Sequence, residues 1–294
     1  MRFLLLLFTI TITSYAATAF ISAEDLDALM KEKEIVLVDV GSKEDFALGH
    51  IPGAVHTEIS QWRKPVQKHQ LMRSQEHIQT VMQELGVNSD SHVIIYGHNK
   101  KKEALKSSYV ALAMIVHGLK EVSILDGAYE EWIYDEERAV SKKQPIRILG
   151  NFKATKNPNI VVDMDYVKKR INKVPMLEAR PAVFYYGTLR SQGVKHIGHI
   201  PKAMSSFWKD KFQLDGTLQS EEVLKEIFVD GFKLKPNKEV VLYCTGGLEA
   251  SMNWFVLSQH LKFTNAKIYD ASLREWANRD DTPIVRYKWE TYGY

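Results

Sequence analysis

GHIPGA at residues 49–54 returns as GHIPKA at residues 198–203, and the surroundings return with it. Each copy follows a short apolar run ending in an acidic residue: IVLVDV, with Asp39, before the first, and VPMLEAR, with Glu178, before the second. Further along, VIIYG at 93–97 matches VVLYC at 240–244. Both are followed by a helix-compatible segment and then by an apolar run closing at aspartate, SILDGAYEEW with Asp126 and Trp132 and KIYDASLREW with Asp270 and Trp276. Matched features in one fixed order mark a duplicated unit. The expected organisation is an export signal over 1–19, a first domain over 20–140, a basic, polar linker over 141–159, and a second domain over 160–294.

Within each half, short apolar runs alternate with amphipathic helical patterns. ISAEDLDALMKE offers Ser22 as a helix cap, with acidic residues in the opening turn. VLVDV, VIIYG and VSIL read as strands, EHIQTVMQELGV as a helix closed by Gly86, and ALKSSYVALAMIVHGL as a second helix. The second half repeats this order, with SEEVLKEIFVDG and SMNWFVLSQHL as its helices. Strands that are apolar throughout belong in parallel sheets covered on both faces. The fold class is therefore α/β: two tandem domains, each a mainly parallel sheet flanked by helices.

The opening MRFLLLLFTITITSYAATAF has Arg2, an apolar stretch, and small residues at Ala17 and Ala19, the pattern of a cleaved secretory signal; cleavage after Ala16 is the alternative. The apolar run is too short to span a bilayer and nothing later supplies one, so the expected location is the periplasm. Removal of Arg2 leaves 38 basic residues against 36 acidic ones. That near balance gives no reason to expect nucleic acid or a membrane as a partner. The basic stretches QWRKPVQKHQLMR at 61–73 and KKK at 100–102 read as solvated surface, with anion attraction near a cleft as the alternative.

Cys244 is the only cysteine, which excludes an internal disulfide and a cysteine-type zinc site. In VVLYCTGGLEAS it ends a strand and precedes a helix, the end of an α/β strand where ligands bind. Gly246 and Gly247 let the chain curl so that several N–H groups converge on one centre, which stabilises a thiolate or an anion. The bland alternative is a buried apolar cysteine before an ordinary turn. Glu249 counts against the reactive reading if its carboxylate points inward. The first half has Gly97 where the second has Cys244, and HNKKKEAL after it lacks the cradle, so one chemical site is expected per chain. His50 and His199, in the two GHIP phrases, read as structural, bonding the turn to Asp39 and Glu178. No histidine lies close enough in sequence to be named as a partner of Cys244, the histidines form no H-E-x-x-H motif, and Trp132 and Trp276 read as core. There is no G-x-G-x-x-G, Walker or G-x-S-x-G motif.

Taken together, GHIPGA and GHIPKA, the strand ends LVDV and LEAR, YCTGGLEAS, and the closings DGAYEEW and DASLREW resemble the rhodanese family over roughly residues 21–285, in its two-domain thiosulfate or 3-mercaptopyruvate sulfurtransferase form. The resemblance implies that Cys244 accepts a sulfane sulfur as a persulfide and passes it to cyanide, a thiol or a protein, with no metal or organic cofactor. It implies that the loop of Thr245, Gly246, Gly247, Leu248, Glu249 and Ala250 holds the outer sulfur, that Arg180 binds substrate, and that the first copy is inactive. Three departures bear on the donor. Thr245 and Gly246 stand where thiosulfate-using members carry cations, Glu249 disfavours a second negative charge, and Phe184 replaces a substrate-binding arginine. These favour a less charged or polysulfide-like donor, or a protein partner. Ala250 in place of arginine excludes the related phosphatases. A noncatalytic binding or chaperone module is the alternative reading.

Overall fold

A computed structural model describes residues 17–99, 103–146 and 148–291. The export signal expected over 1–19 lies mostly outside the described residues, as does the KKK at 100–102.

The first half contains β1 (Phe20–Ile21), α1 (Ala23–Glu32), β2 (Val36–Asp39), α2 (Lys43–Leu48), β3 (Val55–His56), β4 (Arg63–Val66), β5 (His69–Met72), α3 (Gln75–Glu84), β6 (His92–Tyr96), α4 (Ala104–Val116), β7 (Glu121–Leu125) and α5 (Ala128–Trp132). The second contains β8 (Val161–Val162), α6 (Met164–Lys168), β9 (Met176–Glu178), α7 (Ala182–Tyr186), β10 (Ala203–Ser205), α8 (Glu221–Lys225), β11 (Val240–Tyr243), α9 (Leu248–Phe255), β12 (Ala266–Tyr269) and α10 (Ser272–Trp276). Strand order is β1-β7-β6-β2-β3 in one sheet and β8-β12-β11-β9-β10 in the other, and every pair in both is parallel. The duplication read from the sequence is thus a duplication of topology.

Local chemistry explains the elements. Every residue of β6 and β11 is buried, as continuous apolar runs between two helical layers require. The Ser22, Ser42, Ser74 and Ser220 side chains each accept a first-turn N–H, fixing where α1, α2, α3 and α8 start. Gly86, at φ +82°, lets the chain leave α3. The helices expected over SEEVLKEIFVDG and SMNWFVLSQHL are present, but their last turns widen into π-helix at Glu226–Gly231 and Val256–His260.

Two expectations are corrected. The His50 and His199 rings do not reach Asp39 and Glu178. Each instead bonds through Nδ1, at 2.8 Å, to a carbonyl of the preceding helix, Phe46 and Tyr185 respectively. Each is also stacked on that same residue's ring, at centroid distances of 3.9 and 3.8 Å. The 61–73 stretch is not simply solvated surface, because it forms the antiparallel hairpin β4–β5, which crosses to the second half. Trp132 and Trp276 are buried as expected, their Nε1–H groups donating to the carbonyls of Ala139 and Pro283.

The halves are not separate bodies. One apolar core runs from Val38, Ile95 and Met114 of the first half to Leu242, Phe255 and Ile268 of the second. Helices α4 and α9 meet at its centre, where the Ser108 and Ser251 hydroxyls lie 2.8 Å apart. The strand-end aspartates are then exchanged across this approximate twofold. Asp270 accepts the Met72 N–H at 2.7 Å, and Asp126 accepts the Leu218 N–H at 2.9 Å.

Candidate functional site

Cys244 follows β11 and is 1 % exposed. Its N–H donates to the Ser272 hydroxyl at 3.0 Å, and its carbonyl accepts from Leu273 at the start of α10. The Gly247 N–H donates to Cys244 Sγ at 3.1 Å. Gly247 has φ +93°, and a Cβ there would sit 2.4 Å from Asp270 Oδ1, so only glycine serves. Gly246 is different: an added Cβ would meet Arg274 at an ordinary 3.4 Å, so the cradle requires one glycine rather than two.

The cradle alone does not make a thiolate. Burial, with the negative charge of Glu249 second, pushes the Cys244 thiol up to about 12, against the opposing pull of the Ala250, Gly246 and Gly247 amides. Glu249 is itself raised, chiefly by burial, although the Arg180 charge and the neighbouring Cys244 thiol favour its carboxylate.

Above the cysteine opens a cavity of about 310 Å³, lined by Cys244, Thr245, Gly246, Leu248 and Glu249 together with Arg63, Leu105, Phe184, Ser191, Gln192 and Arg274. A larger cavity, about 530 Å³, lies at the amino ends of β9 and β11 beside Val174 and Val240, the wrong end of the sheet for ligand chemistry in this fold. Of the loop residues expected at the site, Gly247 and Ala250 lie beneath the cavity and contribute their backbone N–H groups.

Arg180 does not bind substrate through free donors. It is 2 % exposed, and its guanidinium is spent on Glu178, the Ser191 hydroxyl at 3.0 Å and the Gly198 carbonyl at 2.7 Å. It braces the end of β9 under the cavity floor. Glu178 is completed by the Tyr243 hydroxyl, 3.0 Å away.

The cations that the loop lacks arrive from elsewhere. Arg63, on the hairpin of the first half, is 5 % exposed, donates to the Gly246 carbonyl, and lies with its guanidinium carbon 4.6 Å from the Tyr109 ring centroid. Tyr109 in turn donates its hydroxyl to Asp270 at 2.9 Å. Arg274 enters from α10. The Nε–H groups of both arginines are buried without a partner, and both side chains line the cavity. A buried unpaired donor costs about 1–3 kcal/mol, and the two guanidinium groups bring positive charge to the cavity wall. The expectation of a site poor in positive charge is therefore corrected. Arg274 had a readable signal, since DASLREW places arginine where DGAYEEW has Glu130. Arg63 had none beyond its basic neighbourhood.

Among the described residues, no cluster of histidine, cysteine, aspartate and glutamate could hold a metal ion, and no helix is long and apolar enough to cross a membrane.

The family model described as Rhodanese-like domain matches residues 22–135 and 163–279. The 3-mercaptopyruvate sulfurtransferase of Escherichia coli is 29% identical over 294 residues, covering 93% of this chain and 100% of that one. The sulfur carrier protein TtuD of Thermus thermophilus is 27% identical over 271 residues, covering 87% and 89%. Among solved structures, YnjE superposes with a TM-score of 0.79 at 20% identity, covering 92% of this chain and 69% of that one. The anaerobic ergothioneine biosynthesis enzyme from Chlorobium limicola, in complex with trimethyl histidine, gives 0.77 at 22%, covering 94% and 71%, which shows a shared fold. With both windows matched and the two sheets built in the same strand order, the chain belongs to the rhodanese family as a tandem of two rhodanese-like domains.

Proposed function

We propose that this chain is a sulfurtransferase that takes a sulfane sulfur from a small anionic donor (thiosulfate, 3-mercaptopyruvate or a polysulfide) and passes it to a thiol or cyanide through a persulfide on Cys244. The observation that carries the proposal is the placement of Cys244 Sγ, beneath a cavity walled by two guanidinium groups with unused donors and itself bonded by the Gly247 N–H. The sulfur of Cys244 attacks the donor sulfur, the new S–S bond forms, and the donor fragment leaves with its electron pair. The amides of Gly246, Gly247 and Ala250 then face the negative outer sulfur of the persulfide, as oxyanion donors do. A second attack, by the acceptor on that outer sulfur, returns the thiolate.

The relatives named sulfurtransferases support this reading. The buried, high-pKa thiol favours instead a noncatalytic binding module descended from the same fold. We also propose export to the periplasm with cleavage after Ala16, since Ala19, just before β1, is already bonded to the first sheet, its carbonyl accepting from Ile124 at 2.9 Å. One experiment reads both: intact mass of the chain recovered from the periplasm of its native cell, before and after each donor. The expected result is a chain beginning at Ala17 that gains one sulfur atom, with no gain and no transfer in Cys244→Ser. Absence of an adduct from every donor would overturn the enzyme; a chain still carrying residues 1–16 would overturn export.

A further inference from the structure

A buried thiol pushed up to about 12 is protonated at pH 7, so the sulfur transfer proposed above needs a group that takes the thiol proton. The cavity offers few. Arg63 and Arg274 are cations with no accepting lone pair, Ser191, Thr245 and Gln192 are neutral, and no histidine lines it. Asp270, beyond Gly247, is occupied by the Tyr109 hydroxyl and the Met72 N–H, with Arg63 and His69 facing it. Glu178 and Arg180 are committed to each other below the floor. Glu249 remains: it lines the same cavity as Cys244, from the first turn of α9, and its charge acts on the Cys244 thiol.

Resting on the sulfur-transfer reading, we propose that Glu249 is a catalytic proton shuttle: its carboxylate takes the Cys244 proton as the donor is attacked and returns it either to the departing fragment or to Cys244 once the sulfur has been passed on. The transfer converts a thiol beside a carboxylate into a thiolate beside a carboxylic acid. The pair carries one negative charge before and after, so the loop never holds two while the thiolate forms. Sγ then bonds to the donor sulfur. With thiosulfate the S–S bond breaks and sulfite leaves as a dianion, needing no proton; Glu249 keeps the proton until the acceptor takes the outer sulfur and the Cys244 thiolate takes it back. With 3-mercaptopyruvate the C–S bond breaks, the carbon keeps the electron pair as an enolate, and Glu249 supplies its proton to give pyruvate. Glu249, which at first reads as an obstacle to a second negative charge, is thereby the group that prevents one.

The test is the pH dependence of Cys244 alkylation by iodoacetamide on the full chain, without any sulfur donor. The parent is expected to show a plateau just above the carboxyl titration, where a fixed fraction of molecules exists as thiolate beside carboxylic acid. Glu249→Gln should lose the plateau and rise tenfold per pH unit throughout. Glu249→Asp, which keeps a carboxylate, should restore part of it and guards against a misfolded variant. In turnover, Glu249→Gln should lose about 100-fold in kcat with 3-mercaptopyruvate and markedly less with thiosulfate. A parent profile without a plateau, or a Glu249→Gln profile that keeps one, would show that Glu249 does not exchange a proton with the thiol and would overturn the proposal. Because alkylation involves no sulfur donor, a plateau in a chain that forms no persulfide would sink the sulfur-transfer reading while leaving the proton exchange in place.

Discussion

Lys211 places an ammonium group inside the second half with no ion-pair partner among the described residues. It is fully buried, donating to the Ser206 hydroxyl at 2.9 Å and the Phe207 carbonyl at 2.7 Å, with the Phe228 ring centroid 5.3 Å away. Burial lowers it from 10.5 to about 7, with only the Asp210 charge opposing. Between about 7 and 10.5 the unfolded chain therefore holds a proton here that the folded chain has lost, so this residue's contribution to stability rises with pH. Lys211→Met has no such titration. Measured by denaturant unfolding, the stability of the parent relative to Lys211→Met should improve by about 1.4 kcal/mol per pH unit from pH 7.5 to 9.5. A gap that stays constant over that range would mean that Lys211 is charged in the folded chain.

At the scale of elements, the hairpin β4–β5 has no sheet of its own to join and is placed by its contacts with the second half. Arg63 at one end reaches Gly246, and Met72, its cross-strand partner, reaches Asp270. Arg63→Met removes one charge-assisted donor from the cavity, an interaction worth about 1.5–3 kcal/mol. The expected effect is a rise of about 10- to 100-fold in KM for thiosulfate, partly recovered by Arg63→Lys, which keeps the charge without the planar fork. An unchanged KM would remove Arg63 from the donor site. This element also marks where reading the sequence stops. The strands and helices around Cys244 follow local rules of period, cap and glycine, and Cys244 itself stood out because its duplicate is Gly97. Arg180 was read as a substrate-binding residue, since nothing local shows that Glu178, Ser191 and Gly198 use up its donors. The hairpin's partners lie 183 and 198 residues away, a distance no local pattern carries.

Across the whole molecule, the continuous core argues against two independently stable domains. Leu242 and Val38 belong to one apolar cluster, and cutting the chain in the 141–159 segment would expose α4 and α9 along their shared face. Thermal unfolding of the intact chain should accordingly show a single transition, with calorimetric and van't Hoff enthalpies in agreement. Residues 160–294 alone should lack that transition; a cooperative melt from this fragment would count against the shared core. The crossing of Arg63 has a further consequence, in the order of synthesis. Chains are made from the amino end and fold in that direction as they emerge. The residues of the hairpin have already been made when Cys244 leaves the ribosome, so the one thiol in the molecule emerges with its cover at hand and the two are placed together.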